Sequence, residues 1–360
     1  MSEFRKKALW IALEQHYRER ISKDPAIGAE QIRKIVSDCA EMGFNLIFPC
    51  VRTHDNTNGY TSKIEKNYYG WDLLSVFCQE CSKNGIEIHP WFCFWGDGAG
   101  VHPELHAIDV TGNVIEIKKG QPTLCPLRPE SQEYMLSLVE EIIENYPIDG
   151  FHLDYIRYPH SPCYCDYHRD QFRREFGADP RELDEGSQLW DAWNQFNVDG
   201  LTDFVGRVSS KVRESGKKVS AALFPWGRHE LDTPDKPMLL DRIVSGKEMS
   251  KVHHDKRYWA IFQNWPDWCR KGYLDYAVIM QYTPRLELVA ETADGGPTAA
   301  DGAEFIMGLA LIWGQTIETL LPQIQLCAEK SLSGICFYDY FNLSDWGSQE
   351  RQKIVAIINA

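Results

Sequence analysis

No apolar run in this sequence reaches the roughly 20 residues that a membrane-spanning helix requires, and the first residues lack an apolar core of leader-peptide length. Basic charge is also short: 38 Lys and Arg stand against 52 Asp and Glu, a net charge of −14. That balance repels phosphate backbones and anionic lipids, so neither nucleic acid nor a membrane surface is expected as a partner. The expectation is a cytoplasmic protein, or an exported one if a leader is removed from it. No Gly-x-Ser-x-Gly elbow occurs, which argues against a serine-hydrolase triad. No Gly-x-x-x-x-Gly-Lys-Ser/Thr stretch occurs, and the glycine-rich Gly96-Asp97-Gly98-Ala99-Gly100 lacks a following helix, so nucleotide cradles are not expected either. Nor does any Pro-, Gly- or Ser-rich linker divide the 360 residues, which are read as one domain.

What is present is a repeated unit, a short apolar β-type run followed by a helical pattern. Strands are predicted at 8–14, 45–51, 86–92, 150–156, 218–224, 276–282, 304–312 and 334–341. Helices are clear at 28–42, 71–84, 130–145, 189–214, 316–330 and 348–358. Glycine marks the helix-to-strand joints at Gly43, Gly85, Gly150, Gly216, Gly272 and Gly334, where a left-handed helix end is expected. Eight such units predict an α/β fold, a single (β/α)8 TIM barrel. The long insertions 52–69, 94–128, 158–188 and 225–256 all follow strands, on the face where barrel enzymes build their sites.

The densest chemical cluster is Asp149-Gly150-Phe151-His152-Leu153-Asp154-Tyr155-Ile156-Arg157-Tyr158-Pro159. Alternation puts His152 and Asp154 on the inward face of the fourth strand, with Asp154 nearer the catalytic end. A carboxylate there is expensive unless it works or is paired, so Asp154 is the leading catalytic candidate.

This block resembles the fourth-strand signature of the glycosyl-hydrolase-like barrels known as family-10-like glycosyl hydrolases. The resemblance extends to 45–49 with Tyr60-Thr61-Ser62-Lys63, to 85–91, to Trp190-Asp191-Ala192-Trp193, to Gln263-Asn264-Trp265-Pro266-Asp267-Trp268, to Asp275-Tyr276 and to Met280-Gln281-Tyr282. It implies hydrolysis of a glycosidic bond in an oligo- or polysaccharide, with Asp154 as the best-placed acid. The strand is also similar to the chitinase pattern Asp-x-Asp-x-Asp-x-Glu, but His152 replaces one Asp, and Ile156 with Arg157 stands where the Glu would fall.

Glycoside hydrolysis ordinarily uses two carboxyl groups. For the second, Asp339 in Phe337-Tyr338-Asp339-Tyr340 is ranked first and Glu14 second, each expected to end a strand; Asp97, Glu230 and Asp232 follow other strands. Aromatic faces suit pyranose rings, and Trp95, Trp226 and Tyr282 are chosen as stacking residues among 12 Trp and 16 Tyr. Arg52, His54, Asp55, His89, His152, Arg157 and Gln281 are polar groups able to bind hydroxyls. No cofactor is expected.

Two other readings remain open. A metal-dependent sugar isomerase, epimerase or lyase would use Glu14, His89, His152 and Asp154 as ligands to a divalent ion. A non-catalytic glycan-binding barrel would keep the aromatic surface without the chemistry. Finally, Cys163, Cys165 and His168 have zinc-ligand chemistry, but Cys-x-Cys is tighter than the usual Cys-x2-Cys and no second cysteine pair follows at finger distance. They are read as a packed loop and a weak metal candidate. The eleven cysteines are otherwise read as mostly reduced, buried small hydrophobes.

Overall fold

The eight apolar runs pair side by side in parallel and close on themselves in the computed structural model, which describes every residue except 1–2, 14–17, 56, 99, 160, 184–186 and 226–260. β1 (Lys6–Ile11) is followed by α1 (Pro25–Glu41), β2 (Leu46–Arg52) and α2 (Leu73–Asn84). The third stave is split into β3 (Glu87–Ile88) and β4 (Trp91–Cys93). Pro90 explains the split: it has no N–H for the ladder, and its carbonyl instead accepts from His152 N at 3.0 Å.

The small hairpin β5 (Glu116–Lys118) and β6 (Gln121–Pro122) precedes α3 (Pro129–Asn145) and β7 (Gly150–Asp154). Next come α4 (Asp166–Phe176), α5 (Gln188–Glu214), β8 (Lys218–Leu223), α6 (Trp265–Arg270), β9 (Tyr276–Met280) and α7 (Leu286–Ala299). The chain ends with β10 (Glu304–Ala310), α8 (Ile317–Glu329), β11 (Gly334–Tyr338), α9 (Tyr340–Asp345) and α10 (Ser348–Ile358). β1 pairs with both β2 and β11, which closes an eight-stave parallel barrel ringed by helices. One apolar core runs from Phe4 to Ile358, and a satellite core of Tyr164, Phe172, Leu183, Trp190 and Trp193 sits under the long insertion after β7. Among the described residues no helix is long and apolar enough to cross a membrane.

Several strands stop two or three residues earlier than their apolar runs suggest. Apolar character persists past the last ladder bond because the chain is still buried as it turns off the barrel rim. Asp154 is therefore the last residue of β7, while Asp339 lies one residue beyond β11 and opens α9. The helices α4 and α7 were not predicted. α4 carries Asp166, Arg169, Asp170, Arg173 and Arg174, and only His168 and Phe172 are buried, so its apolar stripe is narrow. α7 contains two adjacent glycines and a proline, which mask helical periodicity.

Four of the six joint glycines have the expected left-handed conformation, with φ between 66° and 83°, but Gly150 and Gly334 do not. At Gly150 the requirement is space: a Cβ there would lie 2.3 Å from the His89 ring.

Candidate active site

The alternation of β7 sends His152 and Asp154 toward the barrel axis at two levels, and each level has its own chemistry. Below the rim, a chain of hydrogen bonds crosses the barrel. Trp10 Nε1 donates to His152 Nε2 at 3.0 Å, His152 Nδ1 meets Ser220 Oγ at 2.8 Å, Ser220 Oγ meets His89 Nδ1 at 2.8 Å, and His89 Nε2 meets Glu87 Oε1 at 3.0 Å. An indole N–H can only donate, so His152 carries its proton on Nδ1 and gives it to Ser220. Ser220 then donates to His89, whose Nε2–H reaches the carboxylate. Every link has one donor and one acceptor, and both imidazoles are neutral. Burial accordingly lowers His152 well below the ordinary histidine value and lowers His89 against the pull of Glu87. The ring nitrogens proposed above as metal ligands or hydroxyl binders are thus already occupied.

At the rim, Asp154 is almost fully enclosed. Its Oδ2 accepts from Trp91 Nε1 at 2.9 Å, and its Oδ1 accepts from Tyr155 N at 2.6 Å and Arg157 at 3.1 Å. The Arg157 guanidinium is itself sandwiched against the rings of Tyr155 and Phe224, at 4.3 and 5.1 Å from their centroids. Tyr155 holds a left-handed backbone, φ 51°, a strained conformation that turns the chain away immediately after the acid.

His54 comes down beside this group from the loop after β2. Its ring lies 5.0 Å from that of Tyr155, both ring nitrogens are buried without a hydrogen-bond partner, and burial lowers its value to about 4 despite the pull of Asp55 and Asp154. An imidazole with two unused nitrogens beside an oriented carboxylate suits a ligand rich in hydroxyls.

The opposite wall of the mouth is aromatic. Tyr282, Trp313 and Tyr338 have ring centroids 5.3–5.6 Å from one another, with Trp313 and Tyr338 stacked at 10°. Tyr338 also meets Trp91, the tryptophan bonded to Asp154, at 6.3 Å. Trp313 is 57% exposed and is held at the mouth by a left-handed backbone of φ 57°.

The other candidates are engaged by protein groups. Asp339 is fully buried: Oδ1 accepts from Asn342 N at 3.0 Å and from Asn342 Nδ2 at 2.5 Å, and Oδ2 accepts from Ala12 N at 3.2 Å. It therefore caps α9 and ties the end of β11 to the chain leaving β1, while burial pushes its carboxyl up to about 6. Arg52 is also buried and is clamped to Glu65 through Nε and Nη2, with further bonds to the carbonyls of Cys93 and Gly96. Burial works against its charge, but Glu65 outweighs it and holds the value above normal. Its reach is into the loop after β4.

Trp95 fills the core against Phe204 at 4.7 Å instead of facing the mouth, and its indole N–H finds no partner. Gln281 Nε2 bonds Leu288 O and Thr292 Oγ1, fastening β9 to α7. Asp97 binds His106 and the amides of Val101 and His102. Glu14, Trp226, Glu230 and Asp232 lie outside the described residues.

With the barrel and this rim in view, the comparison with known sequences is decisive for the family: the description "Glycosyl hydrolase-like 10" matches residues 7–301. The chain belongs to the glycosyl hydrolase-like 10 family. Glycosyl hydrolase YngK of Bacillus subtilis is 20% identical over 241 residues, which is 63% of this chain and 45% of that protein. Glycosyl hydrolase DigH of Escherichia coli K12 is 23% identical over 241 residues, 62% of this chain and 49% of that protein. The chain thus matches a little under half the length of these curated relatives. Among solved structures, the catalytic domain of β-amylase from Paenibacillus polymyxa superposes with a TM-score of 0.62 at 12% identity, covering 98% of this chain and 97% of that one. α-L-Fucosidase isoenzyme 2 from Paenibacillus thiaminolyticus does so with 0.61 at 14% identity, covering 99% and 49%. These likenesses concern the fold.

Within this glycosyl hydrolase-like barrel, His54, Asp154, Arg157 and Tyr282 are the selected residues that meet at the mouth. Trp91, Trp313 and Tyr338 join them. Each ends a strand run or follows one closely, which is the available sequence signal. Which of many such aromatics faces the mouth depends on neighbouring staves.

Proposed function

We propose that this chain is a glycoside hydrolase whose catalytic carboxylate is Asp154. The observation that carries the reading is the setting of that group at the barrel mouth, its oxygens fixed by Trp91, Tyr155 N and Arg157 beside the unsatisfied His54. Three fixed donors aim the carboxylate, so it acts as nucleophile or as stabiliser of the oxocarbenium-like charge that develops at the anomeric carbon. His54 takes sugar hydroxyls, and the Tyr282, Trp313 and Tyr338 faces receive the C–H faces of the rings.

Asp339, which directly follows Tyr338 of the aromatic wall at the end of β11, is the proposed proton donor to the leaving oxygen, and burial raises its carboxyl to about 6, which favours the protonated form. Its two oxygens already accept protein N–H groups, so Glu14 is carried as the competing donor.

The test is product release from a panel of α- and β-linked glycans and aryl glycosides, comparing the wild type with Asp154→Asn, Asp339→Asn and Glu14→Gln. The reading expects turnover that collapses in Asp154→Asn. Whichever of the other two removes the limb governed by protonation of the acid identifies the donor, and product anomer reports the carboxylate separation. Full turnover in Asp154→Asn would refute the assignment. Glycan binding without turnover, unchanged in that variant, would make the barrel a binding protein.

A further inference from the structure

The packed loop before α4 gains a fourth member in the folded chain. Cys125, which follows the β5–β6 hairpin far upstream, meets Cys163, Cys165 and His168, and their four candidate ligand atoms lie within 4.8 Å of one another. We propose that these residues form a structural zinc site of Cys3His type, independent of the glycosidase reading.

Four observations support it. The first is spacing. Tetrahedral zinc with Zn–S bonds of about 2.3 Å separates its sulfurs by about 3.8 Å. Cys165 Sγ and Cys125 Sγ are 3.6 Å apart, and Cys125 Sγ lies 3.2 Å from His168 Nδ1.

The second is the histidine tautomer. His168 Nε2 faces Asn197 Oδ1 at 3.1 Å and the Tyr158 hydroxyl, which can accept as well as donate, at 3.2 Å; Asn197 Nδ2 is engaged with Trp193 O at 2.7 Å, which fixes the amide with its oxygen toward the ring. An amide oxygen only accepts, so Nε2 carries the hydrogen and the Nδ1 lone pair points at the sulfurs. A metal-binding histidine is commonly oriented by such a partner.

The third is the sulfur environment. Cys163 Sγ receives the backbone N–H groups of Ile108 and Cys165, at 3.5 and 3.4 Å, which stabilise a thiolate. Cys165 is the N-cap residue of α4 and sits at the positive end of that helix. The fourth is closure: all four residues are buried, as in structural zinc sites, which lack the open position of catalytic ones.

Binding would replace three thiol protons and two hydrogen bonds with four metal bonds, releasing the protons to water and leaving a net charge of −1 on the complex. The Arg128 guanidinium beside Cys165 offsets that charge. Mechanically, the ion would tie the loop after β4 to the loop after β7, and through Asn197 to α5, just beyond the strand that ends in Asp154.

The test is metal content of the full chain purified without chelator, with cobalt in place of zinc as the spectroscopic probe. The expected result is one zinc per chain surviving dialysis, and a cobalt form with the ligand-field and sulfur charge-transfer bands of a tetrahedral thiolate site. Cys125→Ser and Cys165→Ser should lose the metal, while Cys327→Ser, a buried thiol on α8, should keep it. If the ligand variants fail to fold, the wild-type zinc content and cobalt spectrum still decide. Wild-type protein that holds no zinc after refolding in its presence would overturn the proposal. So would a Cys125–Cys165 disulfide by peptide mass mapping, or zinc retained in both ligand variants.

Discussion

The lower barrel and the barrel mouth use the same residue types in opposite ways. Below the rim, Trp10, His152, Ser220, His89 and Glu87 satisfy one another in sequence, and Lys6 and Lys218 complete the Glu87 carboxylate at 2.5 and 2.9 Å. At the mouth, His54 is buried with neither nitrogen used, Trp313 is open to solvent, and Tyr155 and Trp313 hold left-handed backbones. A saturated network rigidifies a fold, whereas unsatisfied groups and backbone strain weaken it and persist where a ligand uses them. The contrast separates polar residues that hold the barrel from those left open at its mouth, although both sets lie on or close to the ends of its strands.

The contrast predicts which substitutions cost activity and which cost stability. The largest effect is expected from Asp154→Asn, a loss of about 10²–10⁴ in kcat/KM on a cleaved glycan with the far-UV spectrum unchanged. A comparable loss from a lower-barrel substitution, measured per folded molecule, would break the comparison.

Glu87→Gln should do the reverse, lowering unfolding free energy by about 2 kcal/mol while leaving kcat in place; the buried-pair figure is reduced here because Lys218 is partly exposed. Denaturant titration alongside turnover checks it. Burial works to raise the Glu87 value, but His89, Lys6 and Lys218 hold it well below the ordinary glutamate value of 4.5. Its stabilisation is therefore complete above that pH and lost as pH falls toward the folded value. Wild-type stability should decline on acidification below 4.5 more steeply than that of Glu87→Gln.

His54→Phe should cut kcat/KM about tenfold through KM while leaving the melting temperature equal or higher, because it removes two unpaired buried nitrogens. The histidine value of 6.5 falls to about 4 on folding, so protonation favours the unfolded chain from 6.5 downward. The wild type should lose stability across that window relative to His54→Phe.

Trp313→Ala carries the smallest effect, about fivefold in KM with little change in melting temperature, as suits an exposed ring stacking on a sugar at about 1 kcal/mol. A marked fall in melting temperature would mean that Trp313 holds the wall together.

Much of the scaffold was legible because its signals are local. Eight apolar runs, the glycines capping α1, α2 and α5, and the insertions after strands follow from periodicity and turn chemistry along the chain. The inward placement of His152 and Asp154 follows from the two-residue repeat of one strand. Less legible was the burden each inward group already carries. Arg52, His89, Trp95, Gln281 and Asp97 look like hydroxyl binders, stackers or acids in sequence, but Glu65, Ser220, Phe204, Thr292 and His106 occupy or pack against them from other segments.

The sequence by itself determined the barrel, the family resemblance and the level of Asp154 at the end of its strand, because alternation and helical period are properties of neighbouring residues. Only the tertiary structure decided that His54 stands unpartnered beside Arg157 and Asp154, that Tyr282, Trp313 and Tyr338 share one wall, and that Cys125 completes the group formed by Cys163, Cys165 and His168. Those meetings depend on parallel staves and long loops closing around an axis, which brings together segments whose separation along the chain contains no record of their distance in space.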